Sequence, residues 1–492
     1  MSGTAVDGTS VGGGGGGGVA LAGAAGRWVL FTTVLGSAMA MIDSTAVNVA
    51  LPHIGTDLHA SLAALQWSVN AYLLTLAGLI LLGGALGDRY GRRRVFLIGV
   101  VWFALASAAC GLAPDAWVLV AARALQGVGG ALLTPGSLAL IQSVFRQQDR
   151  AAAVGLWSGL GGVAGALGPL LGGWLVGGPG WRWVFLINLP LAVAVVAVGL
   201  RHVPENRDET ATGRFDMAGA ALAALALGAV TAALTSTASG VGWSAGAAVL
   251  ALLAALAFVL VERRAAVPML PLGLFSSRLF TVVNLVTVLI YAGMGGVLFF
   301  LVLQLQIAAG FPPLLAGLGT LPLTVIMLSL SPTAARLGDR IGPRIPLTVG
   351  PLLAATGILL MLRIGPDASY VPDVLPATTV LGFGMTLLVA PLTATALNSV
   401  EDRRAGIASG VNNAAARIGS LLAVAALPAL VGLSGGEYRS PDAVDQAFRG
   451  AVWICAGLMV AAALLTWFEI CGRGVAALPD AEAVRKANPP RI

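Results

Sequence analysis

Charged or Gly/Pro-containing connections break the chain into apolar blocks of about 18 to 25 residues, the length at which a helix rising 1.5 Å per residue crosses roughly 30 Å of hydrocarbon. Strands of a barrel would be shorter and would alternate, so the blocks are expected to be helices, which satisfy their backbone polar groups internally. Composition agrees: 57% of the 492 residues are hydrophobic, 10% are charged and the mean hydropathy is +0.89. Such a chain is an all-α integral membrane protein.

The spacing predicts spans near 28–50, 67–87, 95–112, 116–140, 152–175 and 182–200, two more near 216–236 and 243–261, and six near 279–305, 313–335, 345–362, 371–395, 405–431 and 449–470. Fourteen spans result, arranged as two sets of six with an inserted pair. The expected division is a Gly-rich disordered tail over 1–26, a six-helix bundle over 27–200, a linker with two extra helices over 201–278, a second bundle over 279–471 and a tail over 472–492. The first tail has no basic n-region, so it is not read as a cleaved signal. LGDRYGRR at 86–93 recurs as LGDRIGPR at 337–344, each directly after the second helix of its set, and marks the halves as repeats of one another. Repeated halves that rock about a site near the membrane midplane are characteristic of secondary transporters.

The net charge of +6 does not indicate nucleic acid, because the arginines form no patch interleaved with aromatics. They alternate between connections instead. One side carries Arg89, Arg92, Arg93, Arg94, Arg146, Arg150, Arg201, Arg207, Arg214, Arg263, Arg264, Arg278, Arg336, Arg340, Arg344, Arg403 and Arg404, and is expected to be cytoplasmic. The other carries few, chiefly Arg182, Arg363, Arg439 and Arg449, together with Trp181, Trp183 and Trp243 as interfacial anchors. An even number of spans then puts both termini in the cytoplasm. Cys110, Cys455 and Cys471 lie far apart with no metal-ligand or disulfide spacing, and no cofactor or metal is expected. No phosphate loop, HExxH or nucleophile-base cluster is present, so the chain is not expected to be an enzyme, and an ion gradient replaces ATP as the energy source.

Several stretches carry a resemblance: MIDSTAVNVALPHIG (41–55), QWSVNAYLL (66–74), GALGDRYGRRRVF (84–96), LVAARALQGVGGALLTP (119–135), GALGPLLGGWL (165–175) and WRWVFLINLP (181–190). In this order and spacing they resemble the major facilitator superfamily, and within it the fourteen-helix drug:proton antiporters. The resemblance implies proton-coupled efflux of hydrophobic or cationic drugs or antibiotics across the cell membrane, by a monomer in contact with lipid. The alternative is a same-fold exporter dedicated to one endogenous compound, such as a self-made antibiotic, a lipid or a metabolite. One lysine against 27 arginines looks like a high-GC bacterial chain, among which are antibiotic producers.

Each motif also has a physical reading. Gly84, Gly87 and Gly91 permit close helix approach and a tight turn, and Asp88 is placed to pair with Arg89 or Arg92 near a helix terminus. The family reading makes this a cytoplasmic latch, with Asp339 and Arg340 as its weaker second copy. Gly165, Gly168, Pro169, Gly172 and Gly173 form the segment the family calls the antiporter motif, and small residues spaced by four also let helices touch backbone to backbone.

Asp43 is a carboxylate inside a membrane span, where an ionisable group needs a partner, a wet cavity or a proton. Gly36, Ala40, Val47 and Ala50 share its helix face, beside a polar stripe of Ser37, Ser44 and Asn48. Counted from the expected span ends, Asp43 and Arg123 both lie about 10 to 12 Å deep. An aspartate beside an arginine favours its charged form and one in a dry apolar pocket its neutral form, so separating such a pair drives proton uptake. The pair reads either as a proton-coupling device or as a structural ion pair. In the second half, Arg417 lies near the midplane with Asn412 and Asn413 a turn below, and its role is open between structural and functional. Asn284, Thr287 and Tyr291 share one helix face and are candidates to line a substrate cavity, with interhelical hydrogen bonding as the alternative.

Overall fold

The computed structural model describes residues 18–206, 216–235, 241–265, 268–401 and 405–471. Fourteen helices are long and apolar enough to cross a membrane: α1 Ala24–Asp57, α2 Leu62–Tyr90, α3 Arg92–Gly111, α4 Ala116–Val144, α5 Gln147–Gly177, α6 Arg182–His202, α7 Met217–Thr235, α8 Gly242–Arg264, α9 Arg278–Ala308, α10 Pro313–Gly338, α11 Arg344–Arg363, α12 Tyr370–Asn398, α13 Gly406–Leu430 and α14 Pro441–Glu469. Each expected span is met by one helix, and no β-strand occurs among the described residues. The helices run past the expected ends, α1 to Asp57 and α14 from Pro441, because polar turns beyond the hydrocarbon stay helical without an apolar signal.

The expected tail over 1–26 needs correcting at its near end. Residues 18–23 hold a defined path: Val19 N–H donates to Val144 O at 2.8 Å, Arg146 N–H donates to Val19 O at 3.2 Å, and Leu21 N–H donates to Asp149 Oδ2 at 3.1 Å. These contacts tie the entry to α1 onto the turn between α4 and α5. Residues 1–17 and 472–492 lie outside the described residues.

Helices α1–α6 and α9–α14 form the two halves. Within each, glycines bring helices to backbone contact. A Cβ on Gly83 would lie 2.0 Å from Ala131 O, which seals α2 against α4, and one on Gly129 would lie 2.7 Å from Phe103 N, which seals α4 against α3. The second half repeats the device: Cβ atoms on Gly384 and Gly357 would lie 2.4 Å from Ala354 N and 2.3 Å from Leu381 N, across α11 and α12. The inserted α7 packs on α8, α2 and α13. Its Ala224 and Gly228 meet Gly78 and Leu74 of α2, while α8 exposes Trp243, Leu252 and Leu253 as a helix facing lipid would.

The halves meet at the end opposite the arginine-rich connections. There Gln66 Nε2 donates to Val424 O at 2.7 Å, Gln306 Nε2 donates to Val49 O at 2.8 Å, and the Tyr438 hydroxyl donates to Ala60 O at 2.8 Å. One face of α5 shows how the halves then diverge. A Cβ on Gly173 would meet Pro313 O at 2.5 Å, and Pro169 O lies 2.2 Å from the Cβ position of Gly317. Further along the same face Gly162 touches only the tip of Leu328, and Gly159 and Gly155 meet nothing within 4 Å. The seam between α5 and α10 therefore opens toward the arginine-rich end. The α2–α13 seam stays in contact, with Leu81 against Gly410.

These contrasts predict opposite effects of one chemical change. Gly83→Ala forces α2 and α4 apart and should cost about 1–3 kcal/mol, whereas Gly155→Ala should be neutral or stabilise by up to about 1 kcal/mol. Thermal unfolding of the two purified variants measures the difference.

Candidate functional site

Asp43 lies fourteen residues inside α1 and is 0% exposed; Arg123, on α4, is 2% exposed. Arg123 Nη1 donates to Asp43 Oδ2 at 2.5 Å. Gln126 Nε2 and Asn188 Nδ2 donate to the other carboxylate oxygen at 2.8 and 3.3 Å, so three donors converge on the group. Arg123 is held in turn: its Nε donates to Ser68 O at 3.0 Å, its Nη1 donates to Gln126 Oε1 at 2.6 Å, and its guanidinium lies 4.3 Å over the Tyr72 ring. Ser107 accepts from both Gln126 and Asn188 and donates to Phe185 O at 2.9 Å. The cluster thus draws on α1, α2, α3, α4 and α6.

The sequence reading brought Asp43 and Arg123 together correctly, although its depth count rested on too short an α1. It missed Gln126, Asn188 and Ser107. Gln126 had a signal, three residues after Arg123 on one helix face; Asn188 sits within the quoted WRWVFLINLP. The Asp43 face packs tightly, as expected: a Cβ on Gly36 would lie 2.6 Å from the Phe96 ring. Its neighbouring stripe splits. Ser37 accepts from Trp157 Nε1 at 3.0 Å and donates to Ser137 Oγ at 2.8 Å, while Asn48 bonds within its own helix to Ser44 O. A surface pocket of about 480 Å³, lined by His53, Asp57, Trp181 and Arg182 among others, lies at the end away from the arginine-rich connections and does not include the cluster.

At the arginine-rich end, Asp88 pairs with Arg92 at 2.8 Å, one turn on, within the first half. Gly91 turns the chain at φ +105, and a Cβ there would lie 2.7 Å from Glu205 Oε1. Glu205 supplies what the motif reading sought from Asp88, a carboxylate at a helix terminus. It accepts from Arg93 N–H at 3.0 Å and Arg94 N–H at 3.1 Å, at the start of α3. Gly84 and Gly87 lie near Pro135 and Arg92; Arg89 stands 5.5 Å from the Tyr90 ring centre. In the second copy Arg340 is exposed and the Asp339 side chain lies outside the described residues.

The glycines of α5 divide their work. Gly168 and Gly172 press on Thr45 and Ala46 of α1, Gly173 and Pro169 meet α10, and Gly165 faces open space. On α9 the shared face does not point into a cavity at Asn284 and Thr287, which are 5% and 1% exposed. Asn412 Nδ2 donates to Thr287 Oγ1 at 2.8 Å and to Asn284 Oδ1 at 3.4 Å, a clamp between α9 and α13. The periodicity identified the face; the neighbouring helix decided its use. Tyr291 lies further along, and Ser420 Oγ donates to its carbonyl at 3.1 Å. Arg417 makes no hydrogen bond or ion pair with any described residue, and is close enough to Tyr72 and Tyr291 to act on both electrostatically.

A family model described as Major Facilitator Superfamily matches residues 33–424 and, a second time, 283–491. The chain belongs to this superfamily. Among its facilitator relatives, a puromycin resistance protein of Streptomyces alboniger is 37% identical over 466 residues, 92% of each chain. A tetracenomycin C resistance and export protein of Streptomyces glaucescens is 36% identical over 83% of this chain and 76% of its own, and the multidrug efflux pump LfrA of Mycolicibacterium smegmatis is 35% identical over 78% and 77%. In fold, it is similar to a bacterial homologue of the human lysosomal transporter Spinster, solved inward-facing and unoccupied, with a TM-score of 0.63 at 18% identity over 92% of this chain and 99% of that one.

Removing either member of a buried pair strands the other charge. Arg123→Met and Asp43→Asn should each destabilise, the first by about 3–5 kcal/mol, and the double variant should lose clearly less than the two losses together. Thermal unfolding of the three variants closes this cycle.

Proposed function

We propose that this multi-pass membrane facilitator is a proton-driven exporter of small hydrophobic drugs or antibiotics. It is a transporter and not an enzyme. The reading rests on one observation above others. Asp43 is the one carboxylate lying more than four residues inside either end of one of the fourteen helices, and it is held against Arg123 inside the half that must move. The relatives named for resistance and export support the direction of transport.

In this proposal the arginine-rich end faces the cytoplasm and both termini lie on that side. The arrangement described above, closed at the opposite end and parted along α5 and α10, is then inward-facing. Here Asp43 is ionised, accepting from Arg123, Gln126 and Asn188, after a proton has left to the cytoplasm. Compound enters between the halves. Rocking to the outward-facing state draws Arg123 from Asp43, the unpaired carboxylate takes a proton from outside, and compound leaves. Among the described residues Asp88 pairs only within the first half, as a latch that closes only outward-facing requires; Arg89, Arg92, Asp339 and Arg340 belong to the same proposed gate. The protein works as a monomer in this scheme.

The Streptomyces relatives named for single antibiotics favour a second reading, export of one endogenous compound. Resistance and accumulation assays across unrelated drugs separate the two, since a broad range supports the first.

Asp43→Asn keeps a hydrogen-bonding side chain of similar size but cannot cycle a proton. Reconstituted in vesicles under an imposed pH gradient, it should lose pH-driven transport by about 10²-fold or more while still inserting and folding. Transport at the unmutated rate would refute the coupling role.

A further inference from the structure

We infer that Arg417 and Asn70, which face each other across the α2–α13 seam, receive an anionic oxygen group, a carboxylate or ionised phenol, of the exported compound. The inference rests on the efflux reading and names the chemistry of its substrate.

Two contacts set the register of the seam: Gln66 of α2 donates to Val424 O of α13, and Leu81 lies against Gly410. Gly410, Arg417 and Val424 are spaced by seven, which puts all three on the face of α13 turned to α2. On α2, Asn70 lies one turn after Gln66, on the face turned to α13. The helices run antiparallel, so Arg417 is level with Leu73 and Leu74, about one turn, or 5 Å, from the level of Asn70. Along the outer edge of the seam α7 packs on α2, with Gly228 against Leu74 and Ala224 against Gly78, and so shields it from lipid.

Neither side chain has a hydrogen-bond or ion-pair partner among the described residues. Asn70 is 0% exposed, and both its amide nitrogen and its amide oxygen lack a hydrogen bond. Arg417 has no hydrogen bond or ion pair among the described residues. A buried amide and an arginine near mid-membrane without partners are each costly, and cost of this kind is retained where a ligand completes the site. The donors specify the ligand. The guanidinium offers only N–H groups in a planar fork that matches a carboxylate, and Asn70 Nδ2 adds one more. Tyr72 and Tyr291 lie close enough for the Arg417 charge to act on both. A cationic compound finds no equivalent. Asp43 already accepts from three donors, and every other carboxylate of the chain lies within four residues of a helix end or outside the fourteen helices.

The test uses three matched probes on the purified full chain: 2-naphthoic acid, its methyl ester and naphthylmethylammonium, with binding followed by naphthalene fluorescence. The acid should bind roughly tenfold or more tightly than either of the others, and Arg417→Gln should weaken the acid by roughly tenfold or more with little change for the ester. Asn70→Leu should weaken the acid as well. If Arg417→Gln does not fold, Arg417→Lys, which keeps the charge and loses the fork, should retain part of the preference for acid over ester. Absence of acid binding, ester or ammonium binding as tightly as the acid, or acid affinity unaltered by Arg417→Gln would overturn the inference. Vesicle transport under a pH gradient separates this from the parent reading. Acid that binds through Arg417 while no probe is transported overturns efflux alone; transport restricted to the ester or the ammonium probe overturns the anionic site alone.

Discussion

A carboxylate fourteen residues inside a membrane helix survives only if other helices bring it a counter-charge and donors, and the first half of this protein is organised around that requirement. Arg123 neutralises Asp43, Gln126 and Asn188 complete its hydrogen bonding, and Ser68 and Ser107 hold those partners in place. Five of the six helices contribute. A pair of this kind adds little net stability, because desolvating both charges offsets most of their attraction, but losing one member is expensive.

Around this cluster, helices are held by close backbone approach as well as by buried side chains such as Phe96 and Phe103. The hydrophobic effect between helices is weak in lipid, so backbone contact at Gly83, Gly129, Gly357 and Gly384 supplies the packing that bulky cores supply in water. Between the halves the contacts are graded. On α5 they pass from backbone at Gly173, through a side-chain tip at Gly162, to open space at Gly155. Closed at one end and parted at the other, such a seam lets rigid halves rock without rebuilding either.

Much of this was legible from the residues. Span length and hydropathy gave all fourteen helices because the bilayer imposes both, and the repeated LGDR segments marked the halves. Helix ends were less legible: the last turns of α1 carry His53, Thr56 and Asp57, with no apolar period to count. Asp43 and Arg123 were recognisable as a pair because charge at that depth has few alternatives. Gln126 and Asn188 were not, since neutral amides are tolerated in many settings, and Glu205 was hidden in a polar connection more than a hundred residues from the arginine backbone groups it caps. For Asn284 and Thr287 the shared face was right and the cavity was not, because Asn412 of α13 occupies it.

The sequence by itself determined the solvent of this protein, the number of its spans, their two-fold repetition and the one carboxylate deep in a span that demanded a partner. Each follows from local length, polarity or burial cost, which need no knowledge of neighbours. Which helices meet was decided by tertiary structure alone: that Asn188 and Gln126 share Asp43, that α7 shields the α2–α13 seam, and that the Asn70 amide is buried there with no hydrogen-bond partner among the described residues. A helix fixes which residues share its face, and only the packing of the others fixes what that face meets.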